Sequence, residues 1–439
     1  MSRALTAMDQ NSRGIVLVAL ALNLIATTAY AIVLSDQLRY LDERDYVQLT
    51  RSMAEGSGFS TALGNATAFR PPGYPLMLLP AYLISGGSVL AMRMVGVLSL
   101  AGAIWLVSCL GRRAHSGAVG ALAAVLMAGY PLLTYTATTL YPQVPALFLL
   151  LLCLHLSLQA LSPQHLSHAR RLSGAIIGGL AGGLLTVTVP TFGPFVLAIL
   201  GWLVWRHRRA EHRRWIFHAL VISLFAVALL PTAWCVRNAV QLHAFVPVST
   251  NNGLNLLLGN SEKVTATSGA GGDISAYWQR GQELHLDEVE LDRFFRDEAL
   301  RWIATHPARA ADLYAQKVVL NFSFRNELAT PGQGSADKDF VSALTFYPVL
   351  GLALLRVLML RTRPLHPVEK AALWLVIGHV LLLAVFFTRL RLRMPLDGLT
   401  ILLAASAVVV GLRLWVDGSV QPSGGQSRRM VDHQSDIPT

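Results

Sequence analysis

Four short stretches carry residue types that can do chemistry. Leu41-Asp42-Glu43-Arg44-Asp45-Tyr46 sets three carboxylates within four residues. A carboxylate so placed can act as general base on a hydroxyl, or bind a metal. Phe69-Arg70-Pro71-Pro72-Gly73-Tyr74-Pro75 puts a phosphate-binding guanidinium just before prolines that fix φ and remove N–H donors. Arg389-Leu390-Arg391-Leu392-Arg393-Met394-Pro395 carries three arginines on alternate residues, and guanidinium binds phosphate through paired donors. Asn251-Asn252-Gly253-Leu254-Asn255 with Gly259-Asn260 offers amides that suit hydroxyl-rich ligands and equally suit plain turns. The histidines are scattered and form no zinc-type pair. Cys109, Cys153 and Cys235 show neither a disulfide framework nor metal-type spacing.

The elements that must position these residues are membrane helices. The chain is 53% hydrophobic and only 14% charged, where a soluble domain is about a quarter charged. Uncharged runs such as Gly14–Leu34 are long enough to span the hydrocarbon. The net charge of +11 would suit nucleic acid. Its positions argue otherwise: Arg112–Arg113, Arg170–Arg171, Arg206–Arg209 with Arg213–Arg214, and Arg361–Arg363 sit in short loops between apolar runs, as the positive-inside rule describes. The first run is longer than a signal peptide's apolar core and reads as an uncleaved anchor.

With those loops cytoplasmic, parity places spans near 14–34, 91–110, 117–135, 143–161, 173–189, 191–205, 215–233, 341–360, 367–387 and 395–415, and makes both termini cytoplasmic. Pro75–Ser85 is too short and proline-rich to be a span, so it reads as interfacial or re-entrant. The expected fold is an all-α polytopic membrane protein of about ten transmembrane helices, with interfacial helices and a large mixed extracytoplasmic loop. Its parts are an N-terminal module (1–233) whose first outer loop is 35–87, the long outer loop (234–340), the C-terminal helices (341–417) and a disordered polar tail (418–439). Within the long loop, Asp287–Thr305 and Ala308–Phe322 have helical periodicity, and Ser249–Gly272 reads as a shaped loop. Parity also puts Arg389, Arg391 and Arg393 outside, against the positive-inside trend. An anionic ligand, such as a lipid-linked phosphate, would give the reason.

In order, these pieces resemble the polytopic C-type membrane glycosyltransferases, in particular family 39, which includes protein O-mannosyltransferases and lipid A aminoarabinose transferases. The matching residues are Asp42-Glu43 and Tyr46; Gly56, Gly58 and Phe59; Arg70 to Pro75 with Tyr74; Arg237-Asn238; Pro247 to Thr250 with Asn252-Gly253, Asn255-Leu256 and Gly259-Asn260; His306-Pro307; and Arg391, Arg393 and Pro395. They are collinear over nearly the whole chain. The resemblance implies transfer of a sugar from a polyprenyl-phosphate carrier to an acceptor lipid, glycan or protein on the extracytoplasmic face. Asp42 would be the catalytic acid or base, with Glu43 beside it, and Arg391 and Arg393 would hold the lipid phosphate. Tyr46, Arg70, Tyr74, Arg237, Asn252, Asn255, Asn260 and Arg389 are the remaining candidate binding residues.

The chain shows no P-loop, no G-x-G-x-x-G after a strand and no soluble nucleotide-binding domain, so the donor has to arrive as a lipid. Three positions depart from the family pattern: Gln143 where an acid is common, Val189 before Pro190 where arginine is common, and Leu392 where an aromatic is usual. The first leaves a divalent metal open; no other cofactor is implied. The competing readings are a lipid or saccharide transporter or flippase, and an oligosaccharide polymerase or ligase. A transporter calls for mid-bilayer ionisable residues and paired broken helices.

Overall fold

The computed structural model describes residues 2–161, 167–208, 213–325 and 335–419. Most of the expected tail, 420–439, lies outside these. In chain order the helices are α1 (Ser2–Gln10), α2 (Ser12–Leu34), α3 (Leu41–Ala54), α4 (Gly73–Ser85), α5 (Val89–Ala114), α6 (Gly117–Ala128), α7 (Pro131–Ala137), α8 (Gln143–Ala160) and α9 (His168–Thr188). They continue with α10 (Gly193–His207), α11 (Arg213–Gln241), α12 (Asn252–Gly259), α13 (Ser275–Glu283), α14 (Glu288–Thr305), α15 (Pro307–Leu320), α16 (Ala336–Leu358), α17 (Pro367–Leu383) and α18 (Leu390–Ser419). Among the described residues there is no strand, only one isolated bridge between Ser60 and Ala66.

A helix stands at each of the ten expected spans. Seven are long and apolar enough to cross a membrane, and α6 with α7 makes an eighth if taken as one span bent by 62°. The bend falls at Gly129-Tyr130-Pro131, where Tyr130 is extended, the conformation a following proline favours. α10 and α17, at 15 and 17 residues, are shorter than the rest. Thr188 closes α9, and Pro190–Phe192 form one 3₁₀ turn before α10.

Packing follows composition. Lipid supplies no hydrophobic drive between helices, so close backbone approach through small residues does the work. On α9, Gly174 and Gly178 lie against Leu156–Ala160 of α8, while Gly179 and Gly183 lie against Ser223–Val227 of α11. The last helix, α18, is central: it packs on α16, α6, α17, α8 and α5, and Leu396, Leu399, Ile401 and Leu402 are fully buried.

The basic clusters gather at one end of the bundle. There His115 Nε2 lies 3.0 Å from Glu369 Oε1, and the fully buried Arg356 grips the same carboxylate at 2.7 and 2.9 Å. Asp9 of α1 accepts from the Ala118 amide at the start of α6 and pairs with Arg413 of α18 at 2.9 Å. Both long loops lie at the opposite end. Pro75–Ser85, as expected, belongs to a short apolar helix, α4, which runs over the 13 residues Gly73–Ser85. One segment differs from expectation: the amide-rich stretch after Ser249, read as a shaped loop, contains the helix α12. The Asp42 segment forms the helix α3.

Candidate active site

Helix α3 decides which acids meet. Residues three and four apart share a helix face, so Asp42, Asp45 and Tyr46 project together, while Glu43 is turned about 100° away. Glu43 sits at the third position of the helix. Its Oε2 accepts from the backbone amides of Arg39 (2.7 Å) and Tyr40 (3.1 Å), closing a capping box. Its Oε1 accepts from the Leu140 amide (3.0 Å) and faces Arg93 at 3.2 Å. Both side chains are fully buried. Arg93 also donates to the carbonyls of Ser35, Gln37 and Thr138. Glu43 is therefore a brace that fixes the start of α3, and it is not beside Asp42 in the site as expected.

Asp42 stands between two guanidinium groups. Arg70 Nη2 donates to Oδ1 at 2.6 Å, and Arg391 Nη1 lies 2.5 Å from Oδ2. Arg70 also donates to Asp45 Oδ2, from Nη2 at 2.7 Å and Nε at 3.2 Å. Burial alone would raise the Asp42 pKa; the charges of Arg391 and Arg70 outweigh it and hold the carboxyl down at about 2. Asp42 is an ionised carboxylate, and a weak base for as long as both arginines stay.

Asp42 faces one of two adjoining cavities. The first, about 450 Å³, is lined by Asp42, Tyr46, Arg70, Tyr141, Asn252, Asn255 and Arg391, with Asp292, Arg293 and Arg296 of α14 and an apolar wall that includes Pro190, Phe245 and Phe387. The second, about 350 Å³, is mostly apolar and is lined by Tyr40, Leu132, Tyr135, Tyr141, Leu390 and Met394, with Arg389 and Arg391 on one side and Asp337, Lys338 and Asp339 of α16 on another. Tyr141 and Arg391 belong to both, and the Arg391 guanidinium lies 4.6 Å from the Tyr141 ring centroid. Arg389 has no ion pair among the described residues, and its Nε is buried without a hydrogen-bond partner. Burial and the neighbouring Arg391 lower its pKa to about 10.

The helical start of α18 separates Arg391 from Arg393. Two residues turn a helix by about 200°, so the pair points to opposite sides. Arg393 is 4% exposed and points into the bundle, where it pairs with Asp397 at 3.1 Å. It donates to the carbonyls of Asn321 and Ser323 and lies 3.6 Å from the Phe346 ring centroid. Arg393 thus lines neither cavity, a correction to its expected place at a phosphate.

Three more candidates hold the frame instead of facing a cavity. Tyr74 is buried edge-on against Tyr46, with centroids 5.0 Å apart. Arg237 donates to the carbonyls of Thr67 (2.7 Å) and Phe59 (2.6 Å), over the Trp234 ring. Asn260 donates to the carbonyls of Leu256 (2.9 Å) and Val385 (2.8 Å). With the last two work residues that sequence reasoning missed. Glu288 accepts from Thr67 Oγ1, the Ala68 amide and Thr250 Oγ1 at 2.5 to 2.8 Å. The buried Lys317 donates to the carbonyls of Gly259 (3.1 Å) and Phe386 (2.8 Å). A Cβ on Gly259 would lie 2.5 Å from the Phe386 carbonyl carbon, so only glycine lets the loop come this close. Arg237 and Glu288 fix the segment leading to Arg70, and Asn260 and Lys317 fix the one leading to Arg389.

The sequence also passed over Tyr40, Tyr135, Asp292, Arg293 and Arg296. A signal existed for the last three, since Asp292 and Arg296 share a face of a helix the periodicity revealed. The three departures, Gln143, Val189 and Leu392, all line the first cavity. No group of three His, Cys, Asp or Glu side chains able to hold a metal occurs among the described residues. Both oxygens of Asp42 face guanidinium groups, an environment that does not fit a cation.

Residues 69–234 match the family model described as dolichyl-phosphate-mannose-protein mannosyltransferase. No curated protein matches in sequence. The archaeal oligosaccharyltransferase AglB from Archaeoglobus fulgidus, solved with an inhibitory peptide and a dolichol-phosphate, is similar over 95% of this chain and 52% of its own, at 15% identity and TM-score 0.54. The apo oligosaccharyltransferase of that organism gives TM-score 0.55 at 15% identity over 95% and 53%. ArnT from Cupriavidus metallidurans bound to undecaprenyl phosphate aligns over 95% and 81% at 15% identity, with a TM-score of 0.42 that is too low to argue from. The chain spans about half the length of the oligosaccharyltransferase. At such identity the likeness is one of fold. The chain is an all-helical polytopic membrane protein that shares the fold of the archaeal oligosaccharyltransferase, and its residues 69–234 match a family of the kind its sequence resembles.

Proposed function

We propose that the protein transfers a sugar from a polyprenyl-phosphate carrier to an acceptor hydroxyl at the extracytoplasmic surface, with Asp42 as the base. One observation carries this reading: Asp42 lines a polar-rimmed cavity and pairs with Arg391, which also lines the apolar cavity next to it. The apolar cavity suits the prenyl chain, and its cations suit the phosphate. The cavity bordered by Asn252, Asn255 and α14 suits the acceptor. The AglB fold, solved with a dolichol-phosphate and a peptide, is consistent with two such substrates. The gathering of basic loops at the far end of the bundle supports an external site by the positive-inside rule.

The phosphate ligands in this reading are Arg389 and Arg391, and Arg393 is structural. The acceptor oxygen attacks the anomeric carbon, Asp42 takes its proton, and the arginines stabilise the phosphate as charge builds on it. A single base opposite the leaving group gives inversion. Asp42→Asn should abolish transfer from a polyprenyl-phosphate sugar, measured as radiolabel passed to acceptor by the purified enzyme; full activity in that variant would sink the assignment.

A further inference from the structure

We infer that Arg391 exchanges counter-ions during turnover: it holds Asp42 in the resting protein and passes to the donor phosphate when the lipid arrives, so that the donor itself releases the base. This rests on the reading of the two cavities given above and adds a coupling between them.

The two arginines on Asp42 are not equivalent. Arg70 has a second carboxylate, Asp45, on two of its nitrogens. Arg391 has Asp42 as its one ion-pair partner among the described residues, and its Nε is buried without a hydrogen-bond acceptor. It also lies over the Tyr141 ring, which belongs to both cavities. Arg391 itself lines both. A guanidinium with unused donors and a single partner can turn toward a new anion at small cost; Arg70, shared by two acids, cannot. The junction holds Arg70, Arg389 and Arg391 with Asp42 and Asp45, and Asp337, Lys338 and Asp339 line the apolar cavity as well. A donor phosphodiester, with one negative charge, offers Arg391 the same charge that Asp42 does.

The chemistry keeps charge in balance. The acceptor oxygen–carbon bond forms, and the anomeric carbon–oxygen bond breaks with its electron pair passing to the phosphate. The acceptor proton passes to Asp42. The phosphate gains the charge that Asp42 loses, so a guanidinium moving from carboxylate to phosphate follows the negative charge through the step. With Arg391 gone, Asp42 recovers basicity only when a donor is in place.

The test is equilibrium binding of a synthetic long-chain polyprenyl phosphate to the full-length protein in detergent, for wild type, Asp42→Asn, Arg391→Ala and the double variant. Asp42 and the phosphate compete for one guanidinium, so Asp42→Asn should bind about tenfold tighter or more. The gain should vanish in the Arg391→Ala background. Asp42→Ser, also uncharged, should give the same gain and guards against an effect peculiar to asparagine. Unchanged or weaker binding in both Asp42 variants, or a gain that survives without Arg391, overturns the exchange. If wild type binds and Arg391→Ala binds more weakly, yet neither Asp42 variant gains, the exchange falls while the proposed function stands. Absence of binding by wild type overturns both.

Discussion

At the scale of residues, three arginines spaced by two carry two different burdens. Arg389 and Arg391 face a cavity, whereas Arg393 is locked to Asp397 inside the bundle. Arg389→Ala or Arg391→Ala should raise the apparent KM for donor by about tenfold or more, the worth of hydrogen bonds to a charged group. Arg393→Ala should instead lower thermal stability, since an abandoned buried partner costs roughly 3–5 kcal/mol; a melting curve in detergent separates the two outcomes. The pH profile gives another check. Protonating Asp42 removes the base, so activity falls as pH falls, and the two rate parameters place that fall differently. kcat/KM reports the free enzyme, where Asp42 is held at about 2 by Arg391 and Arg70, and should stay level from neutral pH down to about 4 as far as this carboxylate governs it. kcat reports the loaded enzyme and should decline at higher pH, because one of those arginines has left. The charged or titratable groups around Asp42 are Arg70, Asp45, Tyr46, Tyr141, Arg389 and Arg391, with Asp292, Arg293 and Arg296 of α14 on the first cavity and Asp337, Lys338 and Asp339 of α16 on the second. Coincident limbs would contradict this.

At the scale of elements, the two long loops form a clamp. Glu288, at the start of α14, ties Thr67 and Ala68 of the first loop to Thr250 of the second. Glu288→Ala should speed hydrogen exchange in the segments around 59–70 and 246–252 and lower kcat, because Arg70 loses its backbone support. Unchanged exchange there would show that Arg237 alone suffices. The sequence revealed the membrane helices well, since twenty apolar residues leave little choice of structure. α4, α14 and α15 were equally legible, from proline position and periodicity. It failed where a few polar residues do structural work. Glu43 beside Asp42, or Arg393 beside Arg391, differ from their neighbours only through the helical twist of α3 and α18, and residue type alone carries no sign of that twist. Arg237 and Asn260 looked like ligand-binding side chains, since guanidinium and amide groups serve a backbone carbonyl as readily as a substrate oxygen.

At the scale of the whole molecule, charge separates the two ends of the bundle. A cysteine at Leu63, which is 88% exposed on the first long loop, should react with an impermeant maleimide added to intact cells. One at Arg361, at the opposite end, should react only after permeabilisation. The reverse pattern would invert the proposed orientation. The order in which the chain is made adds a consequence of its own. Along the chain α18 comes after the helices it packs on, and Arg391 rides on its first turn. Asp42 and Arg70 are therefore synthesised before the arginine that pairs with Asp42, and that carboxylate acquires its second guanidinium only when α18 inserts.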